Sequence, residues 1–447
     1  MKRFVIEQSD EEFYTSHSGI SLVGLALNRF TAIPSDLAKA APSDDVISHA
    51  DVMKSYCGLL AQAKSDFAAI EHNRTDDFFR ESLANKHVPS EATMRQRMDD
   101  RAEAFLPVIS WASIELLHKL EVPLTPIDTG HITVDIDSFA MDNSDSKKEN
   151  VSRTYRQFDG YLFLPAYIGS EGWIVNGHLL PGSQHPQKEF TSFLRETHAR
   201  IRQFCDKKLL YRMDSAHDSL DNRIEFERYG KTDYITKWNP RKQNDLYWWR
   251  LGVETGVVTQ PRLGKQVALF SVKEKETITD ENGTKRTLSF RRVMRVTERT
   301  IDKKGQPLLI PEIELEGWWT SLKHDEQKVI DLYKAHGLSE QYHAEIKTDM
   351  DLERLPSGKF ATNQLVMACG ALVYNILRFV GQISLVSSKG IIRHEAKRRR
   401  IKTVIQEMIY FAGRMIATGR RLKLRFSRHA TAHAGAFAGI YHRLAFG

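Results

Sequence analysis

The chain has 447 residues, 41% of them hydrophobic and 27% charged, with 64 Lys and Arg against 57 Asp and Glu for a formal net charge of +7. That length predicts about two to four domains with sizeable cores and excludes a disordered or fibrous chain, while the mild basic excess suits a polyanionic partner. Cys57, Cys205 and Cys369 are odd in number and scattered without metal-ligand spacing, which excludes a disulfide framework and points to a reducing compartment.

Residues 1–12 meet acid early and lack the apolar run of a signal peptide, so the expectation is a cytoplasmic protein. Residues 1–125 read as mostly helical, for example over 52–70, with a polar linker at 34–45. Ser90 before Glu91 is placed to cap a helix that carries Arg95 and Arg97 on its surface, as a solvated or a DNA-reading helix would. From His131 the period changes to two. Ile132, Val134 and Ile136 alternate with Thr133, Asp135 and Asp137, the pattern of a strand with one buried face, and apolar runs follow at 161–168 and 173–180. Residues 189–205 read as a helix, 209–213 as a fourth strand ending on Asp214, and 234–238 as a fifth. Three strands, a helix, then a strand with an acid at its end is the order of a ribonuclease-H-like fold.

Residues 240–322 read as a β-rich insertion, with 267–279 and 287–300 joined across Asn282-Gly283. Lys273, Lys275, Arg291, Arg292, Arg295 and Arg299 stud its strands, which describes either a solvated face or a surface lying on phosphates. Further on, Gly337 is placed to stop a helix that begins near Asp325, and Ser339 to N-cap the next one. Glu340 opens that second helix, where the unpaired N–H groups favour an ionised carboxylate. The apolar run 365–386 is interrupted by Asn375, Arg378 and Gln382, short of the roughly 20 apolar residues of a membrane span, and reads as a buried helix. No membrane association is expected. The final segment is strongly basic, with Arg393, Lys397, Arg398, Arg399, Arg400 and Arg420 among its cations.

The fold class is therefore α+β or α/β: a ribonuclease-H-like mixed-sheet core (126–239 and 323–390) interrupted by the β-rich insertion (240–322). A helical N-terminal DNA-binding domain (1–125) precedes it and a basic helical C-terminal segment (391–447) follows. Two-metal phosphoryl transfer needs acids from separate elements converging within about 4 Å of two ions. Asp135 or Asp137 on the first strand, Asp214 at the end of the fourth and Glu340 on a helix supply that set in order. Singly, each is equally well a cap or a solvated strand end.

Tyr333, His336, Glu340 and Lys347 fall on the Y-x(2)-R-x(3)-E-x(6)-K signature of the cut-and-paste DDE transposases of bacterial insertion sequences, with His where that family has Arg. Together with Val134-Asp-Ile-Asp-Ser-Phe139, Arg212-Met-Asp-Ser-Ala216 and Glu345-Ile-Lys-Thr-Asp349, the chain resembles that family over most of its length. The resemblance implies catalytic, metal-holding acids at Asp137, Asp214 and Glu340, with Asp135 and Glu345 as their rivals. It implies Mg²⁺ as cofactor, with Mn²⁺ as substitute. The partners it implies are double-stranded DNA, at the terminal inverted repeats and the target, and a second copy of the chain on that DNA, in the bacterial nucleoid. Tyr333, His336 and Lys347 would hold the DNA backbone, Trp318 or Trp319 would stack on a base flipped from the element's end, and Arg398, Arg399 and Arg400 would bind DNA from the basic tail. His336, only partly charged near neutrality, is the departure from the signature. Two other readings use the same residues: a structure-selective nuclease of this fold without strand transfer, and a DNA-binding regulator that needs no metal.

Overall fold

The computed structural model describes residues 14–279, 283–302, 304–386, 398–419 and 421–447. Residues 1–12, Asn282 of the hairpin turn, and Arg393, Lys397 and Arg420 of the basic tail lie outside the described residues. The first part is helical, with α1 (Ile20–Phe30), α2 (His49–Ala61) and the long α3 (Glu91–Lys119). Ser90 caps α3 by accepting from the Thr93 N–H. The expected helix over 52–70 is instead α2 followed by a 3₁₀ helix, Phe67–Asn73, capped by Asp66. On α3, Arg95 pairs with Glu91 and Arg97 with Asp45.

The core sheet begins with β1 (Ile132–Ile136), β2 (Phe139–Asp142), β3 (Asp159–Ile168) and β4 (Trp173–Pro181). After α4 (Phe190–Ile201) come β5 (Leu209–Met213), α5 (Leu220–Phe226) and β6 (Thr232–Lys237). β3 is antiparallel to both β1 and β4, whereas β1, β5 and β6 are mutually parallel. The order β4-β3-β1-β5-β6, with only β3 reversed, is the ribonuclease-H-like sheet. The alternation in β1 implied one wet face, yet all five of its residues are buried. It is a central strand, so its polar members need partners inside the protein.

The insertion opens with α6 (Asp245–Thr255), followed by β7 (Val257–Arg262), β8 (Lys265–Thr279), β9 (Lys285–Ile301) and β10 (Pro307–Thr320). β10 lies antiparallel on β6, with Trp318 opposite Lys237, so the insertion's strands prolong the core sheet. Its basic residues are largely neutralised across strands. Arg295 pairs with Glu316 directly opposite it, Arg299 pairs with Glu314, and the buried Arg292 pairs with Glu274. The Arg292 guanidinium lies 4.2 to 4.9 Å from the rings of Trp238, Trp248 and Trp319.

Asp325 caps α7 (Glu326–Lys334), which runs through a 3₁₀ turn into α8 (Ser339–Ala344) and then a π-helical turn, Glu345–Asp349. The α-helix ends and a second begins at Ser339, as expected, but the change is made through the 3₁₀ turn and not by the expected caps. Gly337 does not adopt positive φ, and the Ser339 hydroxyl donates back to the His336 carbonyl instead of capping α8. The apolar run forms α9 (Phe360–Val386), buried against α3 and β4. Its interrupting polar residues have work there: Asn375 accepts from the Ile174 N–H and donates to the Ile174 carbonyl beside an irregularity in β4. The basic tail, expected to be helical, also contains a hairpin, β11 (Gly413–Thr418) and β12 (Arg421–Arg425), before α10 (Thr431–Phe446). Leu422 and Leu424 alternate with Arg421, Lys423 and Arg425, a period of two masked by the density of charge.

Candidate active site

Strand register brings the first two acids together. In the parallel pair β1/β5, Asp135 stands opposite Arg212 and Ile136 opposite Met213. The next residue on each strand is an aspartate, Asp137 and Asp214, so both leave the carboxyl end of the sheet side by side. Burial and then the charge of Asp214 raise the Asp137 pKa above the usual carboxylate range, and Glu340 adds to the rise from the first turn of α8. Burial raises Asp214 too, although the Ala216 N–H donates to its Oδ1 at 3.1 Å and opposes the shift. Glu340 is exposed and has no ion pair among the described residues.

Asp135, the alternative on the same strand, lies inside it, whereas Asp137 lies just beyond its end. Asp135 is 3% exposed and accepts from Arg212 Nε at 2.6 Å and from a terminal Arg212 nitrogen at 2.7 Å. Burial alone would raise its pKa, yet the Arg212 charge and a contact from His336 hold it down at about 2. Arg212 also donates to the Leu332 carbonyl at 2.9 Å and so ties α7 to the sheet. Glu345, the rival of Glu340, is 1% exposed. Arg378 and the Tyr374 hydroxyl hold one of its oxygens, Arg398 and the Ile401 N–H the other.

The side chains expected on DNA have partners within the protein. His336 is buried with Nδ1 3.3 Å from Asp135, which raises its pKa against the effect of burial. Tyr333 stacks on it at 5.9 Å between ring centroids, and burial together with the charges of Asp214, Asp137 and Asp135 pushes its phenol up. Lys347 donates to the Ala140 carbonyl at 3.1 Å and pairs with Glu353 at 2.8 Å. Trp318 and Trp319 are both buried, with Lys237 4.4 Å over the first ring and Arg223 4.0 Å over the second. Arg398, Arg399 and Arg400 pair with Glu345, Glu407 and Asp349.

Sequence reasoning passed over Arg212 and His217. An arginine within the apolar run Leu-Leu-Tyr-Arg-Met is the signal that a buried strand holds an acid opposite it. His217 is fully buried, stacks on Phe190 at 3.8 Å, and lies with Nε2 3.7 Å from Asp214.

The family model described as transposase DDE domain group 1 matches residues 14–445. The chain belongs to that family. No curated protein matches it. Among solved structures it is similar to a piggyBac transposase, in a synaptic complex with hairpin DNA, at 11% identity over 88% of this chain and 79% of that one, with a TM-score of 0.45. In this DDE transposase domain, among the described residues, no three His, Cys, Asp or Glu side chains are gathered closely enough to hold a metal ion as they stand. The donor chemistry at the end of the sheet nevertheless fits a hard dication, because the acids come from separate elements, the charges of Asp214 and Glu340 both weigh against ionised Asp137, and among the described residues no arginine or lysine is paired to any of the three.

Proposed function

We propose that the chain is a metal-dependent DNA transposase of the cut-and-paste kind, encoded by a bacterial insertion sequence. It cleaves the ends of its element and joins the freed 3′-OH strand to target DNA, with Asp137, Asp214 and Glu340 as metal-holding acids. The observation that carries this reading is a contrast. Among the described residues these three acids have no arginine or lysine partner, whereas their rivals Asp135 and Glu345 are each saturated by arginine. Mg²⁺ or Mn²⁺ held by the three would neutralise a phosphodiester and activate first water and then a 3′-OH for in-line attack. The chain's own part is positional. Register sets Asp137 beside Asp214, the Ala216 N–H orients Asp214, and the first turn of α8 carries Glu340 close enough for its charge to act on Asp137.

Of the two tryptophans, we favour Trp319 for stacking on a displaced base. It lines an open recess of about 580 Å³ with Trp238, Trp248, Arg223 and Arg292, whereas Trp318 belongs to an apolar cluster under β6 and α7. Double-stranded DNA at the terminal repeats and a homodimer on it belong to the same reading.

The test is a gel assay of cleavage and joining with the element's own end. Mg²⁺- or Mn²⁺-dependent cutting that disappears in Asp137→Asn, Asp214→Asn and Glu340→Gln is expected. Cutting without joining would favour the nuclease reading, and full activity in EDTA would overturn the metal site.

A further inference from the structure

The segment that carries Glu340 is gripped from three directions. Its far end is the π-helical turn, whose two acids are buried: Glu345 between Arg378 and Arg398, and Asp349 accepting from Arg400 at 2.7 and 2.8 Å and from the Lys402 N–H at 3.2 Å. Arg398 bridges one turn, from Gln341 in α8 to Glu345 just beyond it. One of its nitrogens donates to Glu345 at 2.7 Å and the other to the side chain of Gln341, the neighbour of Glu340, at 2.6 Å, while its guanidinium lies 4.7 Å over Tyr342. From the second direction, Arg378 of α9 donates to Glu345 and also to the Arg399 carbonyl at 2.9 Å. From the third, the Tyr342 hydroxyl donates to the Ser170 carbonyl at 3.0 Å, and its ring covers Gly172. Gly172 has a φ of +75°, and a Cβ there would fall 2.4 Å from that ring, so only glycine permits the contact.

Buried ion pairs of this kind are a poor source of net stability, because removing the charges from water costs about as much as their attraction returns. They do supply direction, since a guanidinium fork accepts its partners in one geometry. We propose that Glu345 and Arg398 are positioning residues for the metal site. Their clamp sets the rotation and depth at which Glu340 meets Asp137 and Asp214, so the basic C-terminal segment helps assemble the active site without touching a reacting atom. The proposal rests on the metal site proposed above. Displacement of a ligand by about 1 Å, or loss of its outer support, costs about 10- to 100-fold in affinity or activity.

The experiment uses the full chain as wild type, Arg398→Ala, Arg398→Lys, Glu345→Gln and Asp137→Asn. Mn²⁺ binding to the DNA-free protein is read by electron paramagnetic resonance, and end cleavage is read beside it. Arg398→Ala is expected to raise the half-saturating Mn²⁺ concentration about tenfold and to slow cleavage by a similar factor. End-DNA affinity in Ca²⁺ should stay within about twofold. Arg398→Lys should recover part of the loss, because an ammonium meets Glu345 but cannot bridge to Gln341 with a second nitrogen. If Arg398→Ala binds Mn²⁺ as wild type does while Asp137→Asn does not, positioning is overturned and the metal site stands. If wild type and Asp137→Asn bind Mn²⁺ equally, the metal site falls and the proposal with it. Should Glu345→Gln fail to fold, the Arg398 pair decides.

Discussion

Two groups of acids lie within a few residues of one another and differ in what neutralises them. Asp135, Glu345 and Asp349 are buried and held by Arg212, by Arg378 with Arg398, and by Arg400. Asp137 stands two residues past Asp135, Asp214 follows the strand that carries Arg212, and Glu340 lies five residues before Glu345; among the described residues no arginine meets them, and the charges of Asp214 and Glu340 weigh on Asp137 instead. A carboxylate already matched to a guanidinium has little left to offer a cation, and removing it leaves a buried charge behind. An unmatched cluster is costly alone and becomes favourable when a dication arrives. Breaking the first group therefore damages the structure around it, whereas the second group, on the proposed reading, is the one free to take a metal.

The largest effect that sharpens this division is on catalysis. Asp137→Asn, Asp214→Asn and Glu340→Gln should each lower cleavage by at least about 10³-fold, roughly 4 kcal/mol of barrier, and leave end binding in Ca²⁺ intact. Normal cutting by Asp137→Asn together with a dead, well-folded Asp135→Asn would reverse the two groups. Next comes folding. Asp135→Asn strands the Arg212 guanidinium in the core and should cost about 3–5 kcal/mol in urea unfolding. A loss under about 1 kcal/mol would mean that Arg212 finds another partner. Third, Arg398, Arg399 and Arg400 changed together to Ala should destabilise the chain by about 3 kcal/mol, because their partners are inside the protein. The slope of log affinity against log salt for end DNA should change by less than the roughly 0.9 of one phosphate contact. A slope lower by nearly three contacts would put these arginines on DNA.

Much of the fold is legible in the chain because period and turn chemistry are local. The alternation from Ile132, the run 209–213 and the Gly283 turn all produce the elements they announce, and strand order follows from the sequence of element types. The change of helix near Gly337 is legible but its form is not, because a glycine in helical φ looks the same in sequence as one in a C-cap. The C-terminal hairpin was hidden because arginine density suggests a charged helix face. Choosing between Asp135 and Asp137, or between Glu340 and Glu345, needs the position of an arginine distant in sequence. Arg212 is 77 residues from Asp135 and Arg398 is 53 from Glu345, and only strand register and helix packing reveal those pairings. The same holds for His336, whose nearest anion is Asp135.

The smallest expected effect tests the comparison without DNA. Burial and Asp214 raise the folded pKa of Asp137 from 3.8 to about 6. A carboxyl whose folded pKa lies above its unfolded value destabilises the protein when ionised. That cost is absent below about pH 4, builds as pH rises towards the folded value, and is complete above it. Asp137→Asn should therefore stabilise the metal-free chain by about 1–2 kcal/mol at pH 7.5 and by almost nothing at pH 4. Asp135 has the opposite sign: its pKa is lowered to about 2, so its contribution is present above about pH 4 and lost as pH falls towards 2. Mn²⁺ should invert the ranking of wild type and Asp137→Asn at pH 7.5, because an ion bound only by the folded wild type stabilises it by mass action. Urea unfolding at both pH values, in EDTA and then in Mn²⁺, reads all of this. If Asp137→Asn is less stable than wild type at pH 7.5 in EDTA, the carboxylate has a favourable partner after all, and the distinction between Asp137 and Asp135 is lost.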